Sequence, residues 1–309
     1  MFQVKPLRFP DFICIGAQKA GTTWLDRMLR QHPDVWLPPT KEVHYFNRVY
    51  EQRANVSSKD ARKIDKTRMN SVLNSVRRTL SSRQDPAEQM EMIGCLSLIG
   101  APEPSDETYG RIFQFAPADS VCGEMTPNYA RLPGEAIRHM LELQPKVRIL
   151  FILRDPIERD WSQLRMQDQR NELQHLSYVE RLARPALLGY SDYATTIERY
   201  RCHVPAENFL ILFFDDMADR PNEFLQAACD FLGLDVGRSE FRGRDEAIHT
   251  GSPVPMPPDL YQALRQSLAP VYRRLLSLDN PIVQKWYARH YASPNPQLAT
   301  PRDAVGASV

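Results

Sequence analysis

Apolar residues follow two rhythms along this chain. Phe12-Ile13-Cys14-Ile15, Val147 to Leu153 and Phe209 to Phe214 are short, nearly unbroken apolar runs. Runs of that length with no polar face predict strands covered on both sides. Between them, apolar positions recur every three or four residues, the helical period. Trp24, Leu25, Met28 and Leu29 share one face before Pro33 ends the run. Val35-Trp36-Leu37 predicts a short second strand ahead of Pro38-Pro39. Ile137, Met140 and Leu141 mark a helix, and so do Ile157, Trp161 and Leu164. In the latter, Asp155 stands at the cap and Pro156 in the first turn. A helix is expected over about 191–202. Pro221 opens another with Phe224, Leu225, Ala228, Phe231 and Leu232 inward and Gly233 as its stop. Leu260, Leu264, Leu268, Tyr272 and Leu275 predict a last long helix. Strands alternating with helices predict an α/β fold: a mostly parallel central sheet flanked by helices in three layers.

The stretch 48–118 interrupts this alternation and reads as a mostly helical insertion. Between Lys59 and Arg83 stand eight Lys/Arg and two Asp. Met69, Val72, Leu73, Val76 and Leu80 within it have helical spacing, so an amphipathic basic helix is expected. It could bind an anionic acceptor, lie over a site mouth, or present a solvated face. Residues 84–108 are polar and proline-bearing and read as loop. Residues 293–309, rich in Pro, Ala and Ser, read as a disordered tail.

Composition narrows the function classes. At 309 residues, with 42% hydrophobic and 25% charged residues, the chain is an ordinary globular protein. Its net charge of +1 gives no global basic field for nucleic acid, so any anion site must be local. Five widely spaced cysteines without a C-x-x-C pair suggest neither a disulfide framework nor a zinc site. No apolar run reaches transmembrane length and no secretory leader is visible, so a cytoplasmic, bacterial-type enzyme is expected.

The first candidate chemistry follows the first strand, in Gly16-Ala17-Gln18-Lys19-Ala20-Gly21-Thr22-Thr23. This is the strand–glycine–helix frame of a phosphate loop, in which backbone N–H groups and a helix N-terminus hold an anion. In the nucleoside-triphosphate version lysine directly follows the second glycine. Here Thr22 does, and Lys19 sits mid-loop. The bland alternative is a glycine turn with an exposed lysine. The second candidate is Arg154 to Ser162. Arg154 closes the strongest strand, where open α/β sheets bind ligands, and Ser162 lies about two helical turns on. The alternative there is a capped helix with a surface ion pair.

Together these stretches resemble the PAPS-dependent sulfotransferase family, PAPS being 3′-phosphoadenosine 5′-phosphosulfate. Lys41-Glu42-Val43-His44-Tyr45-Phe46, Gly123-Glu124-Met125-Thr126-Pro127 and Phe231-Leu232-Gly233-Leu234 carry further similarity. The resemblance covers about 12–47 and 118–235 and is nearest to bacterial members and to domains that modify heparan-type glycans. It implies a P-loop-like fold in one sulfotransferase domain over 1–292. It implies that Gln18, Lys19, Ala20, Gly21, Thr22 and Thr23 cradle the 5′-phosphosulfate, with Lys19 on the bridging oxygen. Arg154 and Ser162 would hold the 3′-phosphate. Glu42 matches the general base and His44 an acceptor-site histidine. PAPS would be the donor and PAP the product, with no metal required, and the acceptor a glycan or small metabolite. On the residues alone Glu42 could be a surface glutamate, and His44 a base, a positioning donor or a packed side chain. The chain departs from many glycan-modifying relatives at Met125, where they carry lysine; Glu124 beside it could bind an acceptor hydroxyl or orient a neighbouring cation. Arg242, Arg244, His249 and Thr250 are candidates for a loop closing over the donor. Two other functions compete. One is a P-loop kinase or NTPase, with Phe209 to Asp216 as a magnesium-bearing strand. The other is a non-catalytic PAP-binding module.

Overall fold

The computed structural model describes residues 6–53, 59–82, 85–170, 174–182, 189–246 and 254–292. Five strands form one sheet in the order β2-β3-β1-β4-β5, and every neighbouring pair is parallel. They are β1 (Phe12–Gly16), β2 (Val35–Trp36), β3 (Val121–Met125), β4 (Arg148–Leu153) and β5 (Phe209–Phe213). The central strand β1 is buried throughout, and β4 from Ile149 onward. This explains why they read as apolar runs rather than alternating patterns. Gly123 has no room for a side chain because the Phe12 ring lies against it across the β1–β3 pairing.

The connections follow from local signals. Helix α1 (Thr22–Leu29) buries Trp24, Leu25, Met28 and Leu29. Helix α2 (Tyr45–Arg53) leads into α3 (Lys59–Leu80), α4 (Pro86–Ile99) and α5 (Asp106–Ile112), all between β2 and β3. Helix α6 (Gly134–Leu143) leads to β4, and α7 (Pro156–Gln169) follows that strand directly. There the Asp155 carboxylate accepts from the N–H groups of Ile157 and Glu158, the expected cap. Helices α8 (Tyr178–Leu182) and α9 (Tyr193–Arg201) precede β5. Helices α10 (Phe214–Asp219) and α11 (Pro221–Leu232) follow it, and Gly233 ends α11 in the left-handed conformation with φ 72°. Helices α12 (Pro258–Leu275) and α13 (Pro281–Tyr291) close the described chain.

Two segments differ from the sequence expectation. Residues 84–108 are not a loop: α4 and α5 occupy most of them, with Asp85 and Ser105 as N-caps. Pro86 opens α4 from its first turn, where proline is tolerated, and Cys95, Leu96 and Ile99 are buried. The amphipathic reading of α3 also needs correction. Val72 is buried and Met69 and Val76 half-buried, but Leu73 and Leu80 point outward at 48% and 62% exposure. Arg68 is not on a solvated face either: it is buried and donates to the Ile99 carbonyl. The tail 293–309, His249 and Thr250 lie outside the described residues, as do the side chains of 59–65 and of 67 on the basic helix.

Candidate active site

The loop from β1 to α1 runs along the C-terminal edge of the sheet, where the chain also leaves β3, β4 and β5. Gly21 takes φ 91° before α1, and a Cβ there would lie 2.7 Å from Met217 Sδ and 3.3 Å from the Phe214 ring. Only glycine satisfies both the left-handed backbone and that close approach. Thr22 and Thr23 form the first turn of α1, where free N–H groups and the helix dipole favour an anion.

Arginines following β4 brace the loop from one side. Arg154 Nη1 donates to the Lys19 carbonyl at 3.2 Å, and its guanidinium stacks over the Phe214 ring at 4.4 Å. Arg159 is fully buried and its Nη1 donates to the Gln18 carbonyl at 3.5 Å. Its other nitrogens bond Asp160 and the Ser191 hydroxyl. Burial together with Arg154, Arg170, Arg165 and Arg159 brings the Lys19 ammonium down to about 8. Four arginine charges therefore act on Lys19 in a protein whose net charge is only +1. Ser162 lies half-buried two turns along α7.

Lys41, named above only as part of a stretch of family similarity, completes the loop. Lys41 Nζ donates to the Thr22 hydroxyl at 2.9 Å and the Thr23 hydroxyl at 3.0 Å. Its neighbour Glu42 lies 3.9 Å from the same ammonium and 3.2 Å from His44 Nε2. On its far side, His44 Nδ1 meets Asn47 Oδ1 at 3.2 Å. Burial pushes the Glu42 carboxyl upward, but the His44 hydrogen bond and the charges of His44, Lys41 and Arg170 outweigh it, so Glu42 titrates below its ordinary value. The Thr40 hydroxyl is 2.6 Å from Ser71 Oγ, which ties this segment to α3. Lys19, Glu42 and His44 have φ of 69°, 69° and 58°. Non-glycine residues held there cost about 1–3 kcal/mol each and gather at functional sites.

Other candidates are placed elsewhere. Glu124 does not face an acceptor: it is 1% exposed and accepts from Tyr109 (2.6 Å), Thr126 (2.7 Å) and Tyr129 (3.2 Å). Burial raises its carboxyl despite those three donors. Met125 beside it is buried. Arg242 is exposed and pairs with Glu240 at 2.9 Å. The Arg242 carbonyl accepts from Gln31 and the Arg244 carbonyl from the Trp24 indole, so this segment straps across α1. The acidic end of β5 is engaged: Asp215 accepts from Trp286 Nε1 at 3.0 Å, and Asp216 pairs with Arg220 at 2.5 Å. Strand β4 separates β5 from the loop-bearing β1. No cluster of metal-ligating side chains occurs among the described residues. No helix among them is long and apolar enough to cross a membrane.

The chain is similar to known proteins in sequence and in fold. The family model described as "Sulfotransferase family" matches residues 10–238. The membrane-associated sulfotransferase kil1 of Dictyostelium discoideum is 28% identical over 177 residues, 56% of this chain. That match spans only 27% of the relative's own length. The crystal structure of a sulfotransferase from Alicyclobacillus acidocaldarius is similar at TM-score 0.62 and 24% identity, over 90% of this chain and 98% of that one. The sulfotransferase STF9 from Mycobacterium avium is similar at TM-score 0.50 and 14% identity, over 88% of this chain and 77% of that one. At those identities the two structures speak to the fold alone.

Proposed function

This chain belongs to the sulfotransferase family, and on that premise we propose that it moves a sulfuryl group from PAPS to an acceptor hydroxyl or amine. The observation that carries this reading is the joining of two phosphate-binding segments into one cradle. Arg154 and Arg159 donate to the carbonyls of Lys19 and Gln18, residues that sequence separates by more than a hundred positions. The residues present suit such a donor. Lys19 is crowded by like charge, which a bound dianion relieves. Gly21, Thr22 and Thr23 would hold the 5′-phosphate and Arg154 with Ser162 the 3′-phosphate. Lys41, touching both threonines, adds a second ammonium at the start of α1.

Sulfuryl transfer is an in-line displacement, so positioning and charge stabilisation dominate, as in phosphoryl transfer. The acceptor oxygen or nitrogen forms a bond to sulfur while the bond from sulfur to the bridging oxygen breaks. PAP leaves with that electron pair. Lys19 sits where the leaving oxygen gains charge, a role worth about 3 kcal/mol for one well-placed donor. Glu42 takes the acceptor's proton. Its depressed pKa keeps it ionised at neutral pH, and its hydrogen bond with His44 fixes its direction. The same reading takes residues up to 292 as one catalytic unit with 48–118 inserted in it.

The test is transfer of labelled sulfate from ³⁵S-PAPS into a cell extract, followed by identification of the product. Lys19→Ala is expected to abolish most transfer, and Glu42→Gln to lower kcat about 10²–10⁴-fold. Wild-type turnover in Glu42→Gln would pass the base role to His44. Tight PAP binding with no transfer to any acceptor would support a binding module instead.

A further inference from the structure

The last described helix, α13, lies beyond the region matched by the family model and contributes nothing to the cradle directly. Its side chains nonetheless reach the β4–α7 turn that carries Arg154 and the start of α10 against which Arg154 stacks. At the first, His290 Nε2 is 2.9 Å and Arg289 Nη1 3.3 Å from Asp155 Oδ2, on the residue next to Arg154. The other oxygen of Asp155 accepts from the Tyr272 hydroxyl of α12, which itself accepts from Ile157 N–H at 3.2 Å. At the second, Trp286 Nε1 donates to Asp215 at 3.0 Å, on the residue next to Phe214. Phe214 is the ring over which Arg154 stacks. His290 and Trp286 are both buried, and Trp286 packs edge-on to Phe213 at 5.8 Å between ring centres.

Arg154 thus lies on the β4–α7 turn and stacks against the first turn of α10, and one helix pins both. A buried carboxylate with this many donors is held rigidly, because losing one donor leaves charge uncompensated in a medium that solvates it poorly. The indole N–H does the same for Asp215 in the first turn of α10.

We propose that α13, through His290 and Trp286, is the positioning brace that sets Arg154 for the 3′-phosphate of the donor. This rests on the reading of Arg154 given above. His290 and Trp286 are positioning residues: they touch Asp155 and Asp215, and act on the donor only through Arg154.

The test compares adenosine 3′,5′-bisphosphate with adenosine 5′-monophosphate, which lacks the group Arg154 would hold, by calorimetric titration of the full chain. The wild type is expected to prefer the bisphosphate. His290→Phe, which removes the donor to Asp155, is expected to cut that preference about tenfold while leaving the monophosphate affinity unchanged. His290→Gln, which keeps an N–H donor, is expected to restore most of it. Trp286→Phe, which keeps a ring and loses the N–H, carries the test at the start of α10 and should cut the preference in the same sense. Arg289→Gln, at a partly exposed side chain, provides the measurement should His290→Phe fail to fold. A general loss of packing weakens both ligands alike, and that result would overturn the brace. An unchanged preference in all the variants would overturn it too. A wild type that binds both nucleotides equally would instead refute the role of Arg154 itself, and with it the donor reading.

Discussion

Lys19 makes donor binding depend on pH in a direction the structure specifies. In the free protein its ammonium titrates near 8 rather than at the ordinary 10.5, because burial and then Arg154, Arg170, Arg165 and Arg159 disfavour the charged form. A bound bisphosphate reverses the local balance and holds Lys19 protonated. The free enzyme is then about nine-tenths charged at pH 7 and about one-tenth charged at pH 9. Affinity for PAP should fall about tenfold over that interval, since an anion must recruit the missing proton. The ligand contributes little to this change, as phosphate second pKa values lie near 6. At pH 8 binding should take up about half a proton, measurable by calorimetry in buffers of different ionisation enthalpy at one ionic strength. Lys19→Met should bind more weakly at pH 7 and show no such slope. Stability runs the other way. The folded pKa lies below the unfolded one, so the penalty on charged Lys19 is complete below pH 8. It disappears between 8 and 10.5, and the unliganded wild type should gain stability relative to Lys19→Met across that window. A pH-independent affinity from 7 to 9, or no proton uptake at pH 8, would refute the clustering of charge around Lys19.

Three further outcomes follow from single contacts. Lys41→Met should lower donor affinity or kcat about tenfold or more, as expected for losing a charge-assisted contact at the loop threonines; wild-type kinetics would remove Lys41 from the site. Gly21→Ala should cost about 1–3 kcal/mol in urea denaturation, from φ 91° and the clash with Met217. Adding Met217→Ala should recover only the clash, and wild-type stability in Gly21→Ala alone would contradict the conformation. Thr126→Val should cost about 1–3 kcal/mol by stripping a donor from buried Glu124, with kcat per folded enzyme unchanged. Unchanged stability with a large loss of kcat would return Glu124 to the acceptor site.

Much of the fold was legible because its signals are local. A buried parallel strand is an apolar run, an N-cap is an Asp followed by Pro, and a helix stop is a Gly, as at Phe12, Asp155-Pro156 and Gly233. Helix α4 escaped because its apolar residues are spread around the cylinder and its start carries a proline, so neither periodicity nor composition marked it. Leu73 and Leu80 have helical spacing but stay exposed, since spacing shows which residues share a face and not whether anything covers it. Helix α13 was missed although Pro281 opens it and Val283, Trp286 and His290 share its buried face. Glu124 looked available for an acceptor until three hydroxyls enclosed it, two of them from tyrosines outside its strand.

The sequence by itself determined the frame of the site: a glycine turn between strand and helix, a lysine displaced from the triphosphate position, and an arginine at the end of the strongest strand. These depend on backbone geometry within a few residues, which amino-acid type dictates directly. Tertiary structure alone decided which charges meet. Parallel pairing of β4 with β1 brings Arg154 and Arg159 to the loop, and a segment after β2 delivers Lys41 to Thr22 and Thr23. Electrostatic energy falls with separation in space and is indifferent to separation along the chain. The depressed ammonium of Lys19, the enclosed carboxylate of Glu124 and the brace at Asp155 therefore exist only once the sheet has assembled.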